Sequence, residues 1–180
     1  MWHALTSEQD LLRDTTARYL GDRVPLSRQR KDLRHDPVGF DPDYWTGGAE
    51  LGWTMLLVDE EHGGGSVSGR GAVDLALIAY EFGRHAAPGP LVDCNVVAAA
   101  ISGAPGAMQQ DALGQILGGQ AIAACCLGAA PWDMPGKGAI SIRREGGDLV
   151  IDGAVRPVES GAQAGWLAPA TLSAIAEALG

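Results

Sequence analysis

The densest group of chemically capable side chains is the run Asp59, Glu60, Glu61 and His62. Carboxylates and imidazoles are common metal ligands, so the run has the composition of a metal site. Four consecutive loop residues cannot all converge on one ion, however, and no other histidine has ligand spacing to them. A solvated acidic loop tip is therefore the favoured interpretation.

The cysteines form no redox or zinc motif. Cys94 stands alone while Cys125 and Cys126 are adjacent, which gives an odd count without C-x-x-C spacing. Core packing is the expected role for all three. A lone histidine is more often a surface or capping residue than a catalyst. No catalytic role is therefore assigned to the isolated histidines: His3, His35 and His85.

Composition excludes several classes of protein. The chain has 180 residues, with 13 Lys plus Arg against 22 Asp plus Glu, and a formal net charge of -9. Nucleic acid and anionic membranes bind basic surfaces, so neither partner is expected. No stretch reaches the roughly 18 apolar residues of a membrane span, and no signal-peptide pattern follows Met1. We expect a globular cytoplasmic protein.

The first half of the chain is predicted to be helical. Thr6 and Gln9 make a capping box for a first helix that runs to Gly21. Asp41 as N-cap, with Pro42 at the first helical position, starts a second helix.

Further helices are predicted beyond a glycine loop at residues 63–65. The third helix spans 71–82, and its apolar residues on both sides predict burial nearly all round. Residues 96–101 are again apolar. A last amphipathic helix over 108–117 ends at Gly118.

After residue 118 the hydrophobic period changes from that of helices to that of strands. Strands and turns are predicted in this order: a strand at 121–127, a strand at 140–142, a turn at 145–147, a strand at 149–151, a hairpin turn at 152–153, and strands at 154–158 and 166–168. Thr171 caps a short helix to Leu179. Helices followed by strands predict an α+β fold. Its parts are an N-terminal helical domain over 1–118, a partial antiparallel β-domain over 119–170 and a short C-terminal helix over 171–180.

Four segments carry a specific resemblance to a known family. They are LTSEQDLLRDTTARYLGDRV, FDPDYWTGGAELGWTMLLVDEEHGGG, VDLALIAYEFGRHAAPGPL and LGQILGGQAIAACCL. In this order they resemble the helices and glycine loop that open the acyl-CoA dehydrogenase family. The resemblance implies a helical domain, a middle β-domain and a C-terminal four-helix domain that builds the oligomer. Because it covers the first part and about half of the second, we expect the four-helix domain to be absent.

The resemblance also implies a reaction. Family members desaturate an acyl-CoA thioester between its α and β carbons: a Glu removes the α-proton, and the β-hydrogen leaves as hydride to FAD. The implied partners are the acyl-CoA substrate, an electron-transfer flavoprotein or similar acceptor, and further subunits of a homo- or hetero-oligomer. The catalytic Glu belongs to the four-helix domain, so no carboxylate here is assigned that role. Whether the chain is itself an enzyme stays open.

The family's flavin contacts map onto two neighbouring strands. The expected cofactor-binding residues are Cys126, Leu127 and Gly128, through their main chain, with Val158 and Glu159 on the second strand. Ordinary sheet positions are the alternative. The family's Thr-Glu-Pro motif has lost its hydroxyl, because this sequence reads GAAPWD there. Glu159 replaces a Thr, and a carboxylate disfavours a ring that becomes anionic on reduction.

Several functions remain open on these residues. The first is an acyl-CoA dehydrogenase, or part of one, that binds FAD. The alternative is a non-catalytic structural subunit or partner of a heteromeric acyl-CoA dehydrogenase. Flavin monooxygenases and nitroalkane oxidases share the architecture, and an unrelated α+β binding module is the remaining possibility. An exposed apolar face is expected where the family's third domain docks.

Overall fold

The computed structural model describes residues 4–27, 40–104, 106–126, 140–146, 148–155 and 158–169. Five helices and four strands lie wholly within these ranges. In chain order they are α1 Ser7–Arg23, α2 Pro42–Glu50, α3 Gly71–His85, α4 Leu91–Ser102, α5 Ala107–Leu117, β1 Ala123–Cys126, β2 Ile140–Glu145, β3 Asp148–Gly153 and β4 Trp166–Pro169. The predicted order, helices first and strands after, is confirmed.

Local capping chemistry starts the first two helices as predicted. The Thr6 hydroxyl accepts from the Gln9 N–H at 3.3 Å, and the Gln9 side-chain oxygen accepts from the Thr6 N–H at 3.2 Å. These two bonds form the capping box of α1. At α2, Asp41 accepts from the Asp43 N–H at 3.0 Å, and Pro42 occupies the first turn. None of the helices in the described ranges is long and apolar enough to cross a membrane.

Aromatic rings make the centre of the helical core. Trp53 is fully buried, and its ring packs edge-on against Tyr19 at 5.5 Å and Phe82 at 4.9 Å between centroids. Its indole N–H donates to the Thr16 hydroxyl at 3.1 Å, so the buried polar atom is satisfied. The Trp53 ring therefore joins α1, α3 and the segment that follows α2.

Helix α3 differs from the prediction of burial nearly all round. It reaches His85, and Val73 and Tyr80 are 39% and 63% exposed. Its buried residues are Asp74, Leu75, Ile78, Glu81 and Phe82. The carboxylates of Asp74 and Glu81 thus lie on the inward face of α3, where hydropathy alone predicts apolar residues. Asp74 is accommodated there because the side chains of Gln9 and Ser68 donate hydrogen bonds to it.

The strands form two separate pairs within the described residues. β2 and β3 are antiparallel, with Ile140 opposite Gly153, as the turn predicted between them at 145–147 requires. β1 and β4 are parallel, with Ala123 opposite Trp166, so the expected antiparallel pairing is wrong for this pair. A long connection separates β1 from β4, which is what a parallel pair needs.

Two smaller predictions in the β-region are also corrected. The hairpin turn expected at 152–153 is absent, because β3 continues through Gly153, which still pairs with Ile140. The described residues 154, 155 and 158 are not in a strand, so the strand expected at 154–158 is wrong where it is described. The helix expected at 171–179 lies outside the described residues.

Candidate functional site

Strand β1 connects the expected cofactor-binding residues to the helical half. One edge of β1 pairs with β4, and the other edge faces α4. On that second edge Cys94 Sγ accepts from the Ala123 N–H at 3.4 Å and lies 3.6 Å from the Ala123 carbonyl oxygen. The Asp93 carboxylate accepts from the Cys125 N–H at 3.2 Å. Side chains of α4 therefore supply hydrogen-bond partners to main-chain groups of β1, on the strand edge that pairs with no described strand.

A hollow of about 600 Å³ opens beside the end of β1, and we name it the Cys126 hollow. Its lining residues are all apolar or glycine: Cys126, Ile140, Ile151, Gly153, Val155, Val158, Gly161, Ala162 and Leu167. Two of the five predicted cofactor-binding residues, Cys126 and Val158, thus lie on one hollow. Leu127 and Gly128 lie outside the described residues.

The fifth predicted residue, Glu159, follows Val158 in the chain and has an exposed side chain. Partial burial of its carboxyl raises its pKa above the ordinary value, and the negative charge of Asp93 raises it further. The Asp93 carboxylate, held by the Cys125 N–H, therefore lies near enough to Glu159 for the two charges to repel. The surroundings of Glu159 are therefore unfavourable for further negative charge.

The thiols near this site are poor nucleophiles. Burial raises the pKa of Cys94 to about 11. Burial also raises the pKa of Cys125 and Cys126, and the charge of Asp93 adds to both shifts. All three thiols are free and stay protonated near neutral pH. Core packing is confirmed for Cys94, which is fully buried, and for Cys125, which is half-buried and packs against the same core. Cys126 is half-buried and lines the hollow.

The acidic run and His85 have structural positions. Glu60–His62 form a single 3-10 turn without buried residues, closed by Gly63 at φ 83°. This is the predicted exposed loop tip. Across the described residues no group of three His, Cys, Asp or Glu converges on one point. His85 Nδ1 lies 2.9 Å from the Glu81 main-chain oxygen at the end of α3, while His3 and His35 lie outside the described ranges.

Asn95 is a buried polar residue that the sequence analysis did not single out. Its amide donates to the Trp53 oxygen at 2.7 Å and to the Leu91 oxygen at 2.9 Å. Its side-chain oxygen accepts from the Leu56 N–H at 3.0 Å. Asn95 therefore fastens the segment after α2 onto α4. The available signal was the single amide of this helix, whose other polar residues are Asp93 and Ser102.

A groove on the helical half exposes apolar side chains, and we name it the Leu11 groove. It encloses about 410 Å³. Leu11 and Val67 are 68% and 44% exposed there, well above the exposure of a core residue. The complete lining is Glu8, Leu11, Leu12, Thr15, Leu51 and Val67. Exposed apolar grooves of this kind are typical of protein-binding surfaces.

The described residues around the Cys126 hollow do not by themselves fit FAD. A flavin has donors and acceptors along one ring edge and a charged pyrophosphate, and both need polar partners. None of the described lining side chains carries a hydroxyl, amide or positive charge. Glu159, the chain neighbour of the lining residue Val158, and Asp93 both carry negative charge, which opposes an anionic ring.

Comparison with protein families identifies the class of fold. The family model described as "Acyl-CoA dehydrogenase, N-terminal domain" matches residues 6–126, which include all five helices and β1. The chain belongs to the acyl-CoA dehydrogenase family. A search of curated proteins gives no match.

Solved structures agree on the fold. A variant of the "Tcur3481-Tcur3483 steroid ACAD" is 24% identical with a TM-score of 0.74, over 90% of this chain and 44% of that one. The electron transferring flavoprotein of Acidaminococcus fermentans is 20% identical with a TM-score of 0.70, over 91% and 43%. The ChsE4-ChsE5 complex from Mycobacterium tuberculosis is 22% identical with a TM-score of 0.64, over 85% and 39%. The chain thus spans less than half the length of these proteins.

Proposed function

We propose that this chain is a non-catalytic structural component of a heteromeric acyl-CoA dehydrogenase. Such an assembly desaturates an acyl-CoA thioester between its α and β carbons, and FAD supplies the hydride acceptor. The observation that carries the proposal is the pair of repelling carboxylates, Glu159 and Asp93. Glu159 follows the lining residue Val158 in the chain, and Asp93 accepts from Cys125, which precedes the lining residue Cys126. In this family the flavin contacts are expected at that place.

Electrostatics favours the structural role over a flavin-binding one. Burial and Asp93 both raise the pKa of Glu159, so its ionised form is already disfavoured without any ligand. A reduced flavin is anionic and would add a third negative charge. The apolar lining of the hollow offers no described side chain that compensates.

The names of two similar structures support a heteromeric assembly. The names Tcur3481-Tcur3483 and ChsE4-ChsE5 each join two components, and the second is called a complex. By analogy, this chain would associate with a different chain that holds the flavin and the base. The proposed subunit arrangement is a hetero-oligomer, with a homo-oligomer as the alternative.

A second candidate function is a flavoprotein that binds FAD itself. It is favoured by Cys126 and Val158, which line one hollow although they are far apart in the sequence. Main-chain groups of residues that follow Cys126 would then hold the flavin. This candidate makes the chain part of a catalytic acyl-CoA dehydrogenase.

The visible absorption spectrum of the purified chain separates the two candidates. The structural role predicts a colourless protein that retains no FAD after mixing and gel filtration. It also predicts that Glu159→Thr, which removes the carboxylate, increases the FAD retained, whereas Glu61→Thr on the exposed loop has no effect. A yellow wild-type protein with stoichiometric FAD would overturn the structural role and support the flavoprotein.

The Leu11 groove is the surface that we propose for the electron acceptor of the assembly. A partner that inserts one apolar side chain would cover Leu11 and Val67, whose exposure is unfavourable in isolation. Glu8 on the groove favours a basic residue beside that side chain. An electron-transfer flavoprotein or a similar acceptor is the proposed partner, and acyl-CoA is the proposed substrate of the assembly.

The cytoplasm is the proposed location. All three cysteines are free, and thiols persist in reducing compartments.

A further inference from the structure

The Cys126 hollow has the size and the lining of a site for an apolar group. Its volume of about 600 Å³ lies within the range of roughly 300–1,000 Å³ typical of small-molecule sites. All four strands contribute to its lining, and none of the described lining side chains carries a hydroxyl, an amide or a charge. Two of them, Ile151 and Leu167, are 55% and 59% exposed. A ligand that covers them removes apolar surface from water, which is favourable.

Two carboxylates lie near this hollow. Glu159 directly follows the lining residue Val158, and consecutive Cα atoms are about 3.8 Å apart. The Asp93 carboxylate lies 3.2 Å from the main-chain nitrogen of Cys125, the residue before the lining residue Cys126. Both charges are therefore within about 10 Å of the lining, which is about one Debye length at moderate salt.

Neither carboxylate is neutralised within the described part of the chain. Asp93 and Glu159 form no ion pair with a described residue. Partial burial and the charge of Asp93 raise the pKa of Glu159, so the ionised pair is unfavourable as it stands. A positive charge nearby would relieve this repulsion, whereas an anion would add to it.

We propose that the Cys126 hollow binds an apolar molecule that carries a positive charge. The hydrocarbon or aromatic part covers Ile151 and Leu167, and Glu159 and Asp93 attract the ammonium group. An uncharged molecule of the same shape binds more weakly, and the corresponding carboxylate binds most weakly. The inference concerns a ligand other than FAD and acyl-CoA, so it does not depend on the function proposed above.

Titration calorimetry of the full chain with three naphthalene compounds tests the proposal. 1-Naphthylmethylamine, 1-naphthylmethanol and 1-naphthoate share one ring system and are positive, neutral and negative near neutral pH. We expect the amine to bind saturably at one site, about fivefold more tightly than the alcohol at low salt, and the naphthoate to bind more weakly than either.

A lining variant tests where the ring binds. Leu167→Gln makes one exposed lining residue polar, so it should weaken the amine and the alcohol alike, by about fivefold. Met108→Gln alters a similarly exposed side chain outside the lining, and it leaves both affinities unchanged. Equal weakening by the two variants would show that the ring binds elsewhere.

Charge variants separate the attraction from the apolar contact. Glu159→Gln should lower the preference for the amine over the alcohol about twofold without changing the affinity for the alcohol. Glu61→Gln removes a charge from the exposed loop and leaves the preference unchanged. The proposal is overturned by the absence of saturable heat with the amine, by equal affinities for amine and alcohol, or by an equal effect of the two glutamate variants. Circular dichroism checks that Leu167→Gln folds, and if it does not, the glutamate variants still decide.

Discussion

The carboxylate of Asp93 on α4 accepts a hydrogen bond of 3.2 Å from the main-chain N–H of Cys125 on β1. This bond places a negative charge beside the strand that leads to the expected cofactor-binding residues. The same charge raises the pKa of Glu159, which follows the lining residue Val158 in the chain. One side chain thus stabilises the strand edge and makes the site less suitable for an anion.

Asp93→Asn tests this electrostatic coupling. The amide oxygen of Asn still accepts from the Cys125 N–H, but the charge is lost. The pKa of Glu159 is therefore expected to fall toward its ordinary value, and only the effect of burial remains. NMR titration of the Glu159 carboxyl measures the shift. Asp111→Asn, which removes a charge bonded to Gln115, is the control and should leave the Glu159 pKa unchanged. An equal fall in both variants would contradict the coupling.

The buried carboxylate of Asp74 makes stability depend on pH. Burial alone opposes its ionisation, yet hydrogen bonds from Gln9 at 2.7 Å and from the Ser68 hydroxyl at 2.8 Å outweigh burial and lower the pKa of Asp74. A lowered folded-state pKa stabilises the fold above the unfolded-state pKa, near 4. That contribution is lost as the pH falls through the lower folded-state pKa.

Gln9→Leu should therefore destabilise the protein by about 1–3 kcal/mol at pH 7, with a smaller difference from the wild type below about pH 4. Urea unfolding at both pH values measures it. Thr16→Val removes the hydroxyl that accepts from the Trp53 indole N–H, and neither of these side chains ionises, so its cost of about 1–3 kcal/mol should not change with pH. A Gln9→Leu cost that is the same at both pH values would show that Asp74 does not depend on Gln9.

Only glycine fits at position 48, because the Trp53 ring occupies the space that a side chain would need. An added Cβ would overlap Cε3 and Cζ3 of Trp53, which is fully buried. Gly48→Ala is expected to cost about 1–3 kcal/mol of unfolding free energy through overpacking. Gly21 in α1 has nothing within 4 Å of the same position, so Gly21→Ala should stabilise by about 0.5–1 kcal/mol. Thermal unfolding of the two variants should show shifts of opposite sign.

Local chemistry made the helix starts predictable. The capping box of Thr6 and Gln9 and the N-cap of Asp41 involve residues at most three apart, so the sequence contains all the information. The buried face of α3 was not predictable in the same way. Asp74 lies inward because Gln9 bonds it from 65 residues away. Hydropathy cannot register a long-range partner of this kind.

The candidate site, like the fold, was predictable from the sequence only in part. The resemblance to the family indicated Cys126 and Val158, and they line one hollow. Asp93 was not indicated, because its bond to Cys125 joins residues that are 32 apart. The parallel pairing of β1 with β4 was missed for the same reason, since register between distant strands depends on tertiary packing.

The Leu11 groove yields a prediction about partner binding. Leu11→Asp places a charge where the partner's apolar side chain would be buried. We expect the affinity for an electron-transfer flavoprotein to fall by at least about tenfold, since burial of one leucine contributes roughly 1.5–3 kcal/mol. Surface plasmon resonance on the complete assembly measures this change. Val73→Asp alters a residue of α3 that is also exposed but lies outside the groove, so it should leave the affinity unchanged.

The salt dependence of partner binding separates the electrostatic contribution of Glu8 from the apolar contribution of Leu11. Attraction between Glu8 and a basic partner is screened by salt, whereas burial of Leu11 is not. Raising the salt concentration should therefore slow association with the wild-type chain while the loss caused by Leu11→Asp persists at high salt. If Leu11→Asp and Val73→Asp weaken the partner equally, the acceptor does not dock in the Leu11 groove, and general surface charge accounts for the effect.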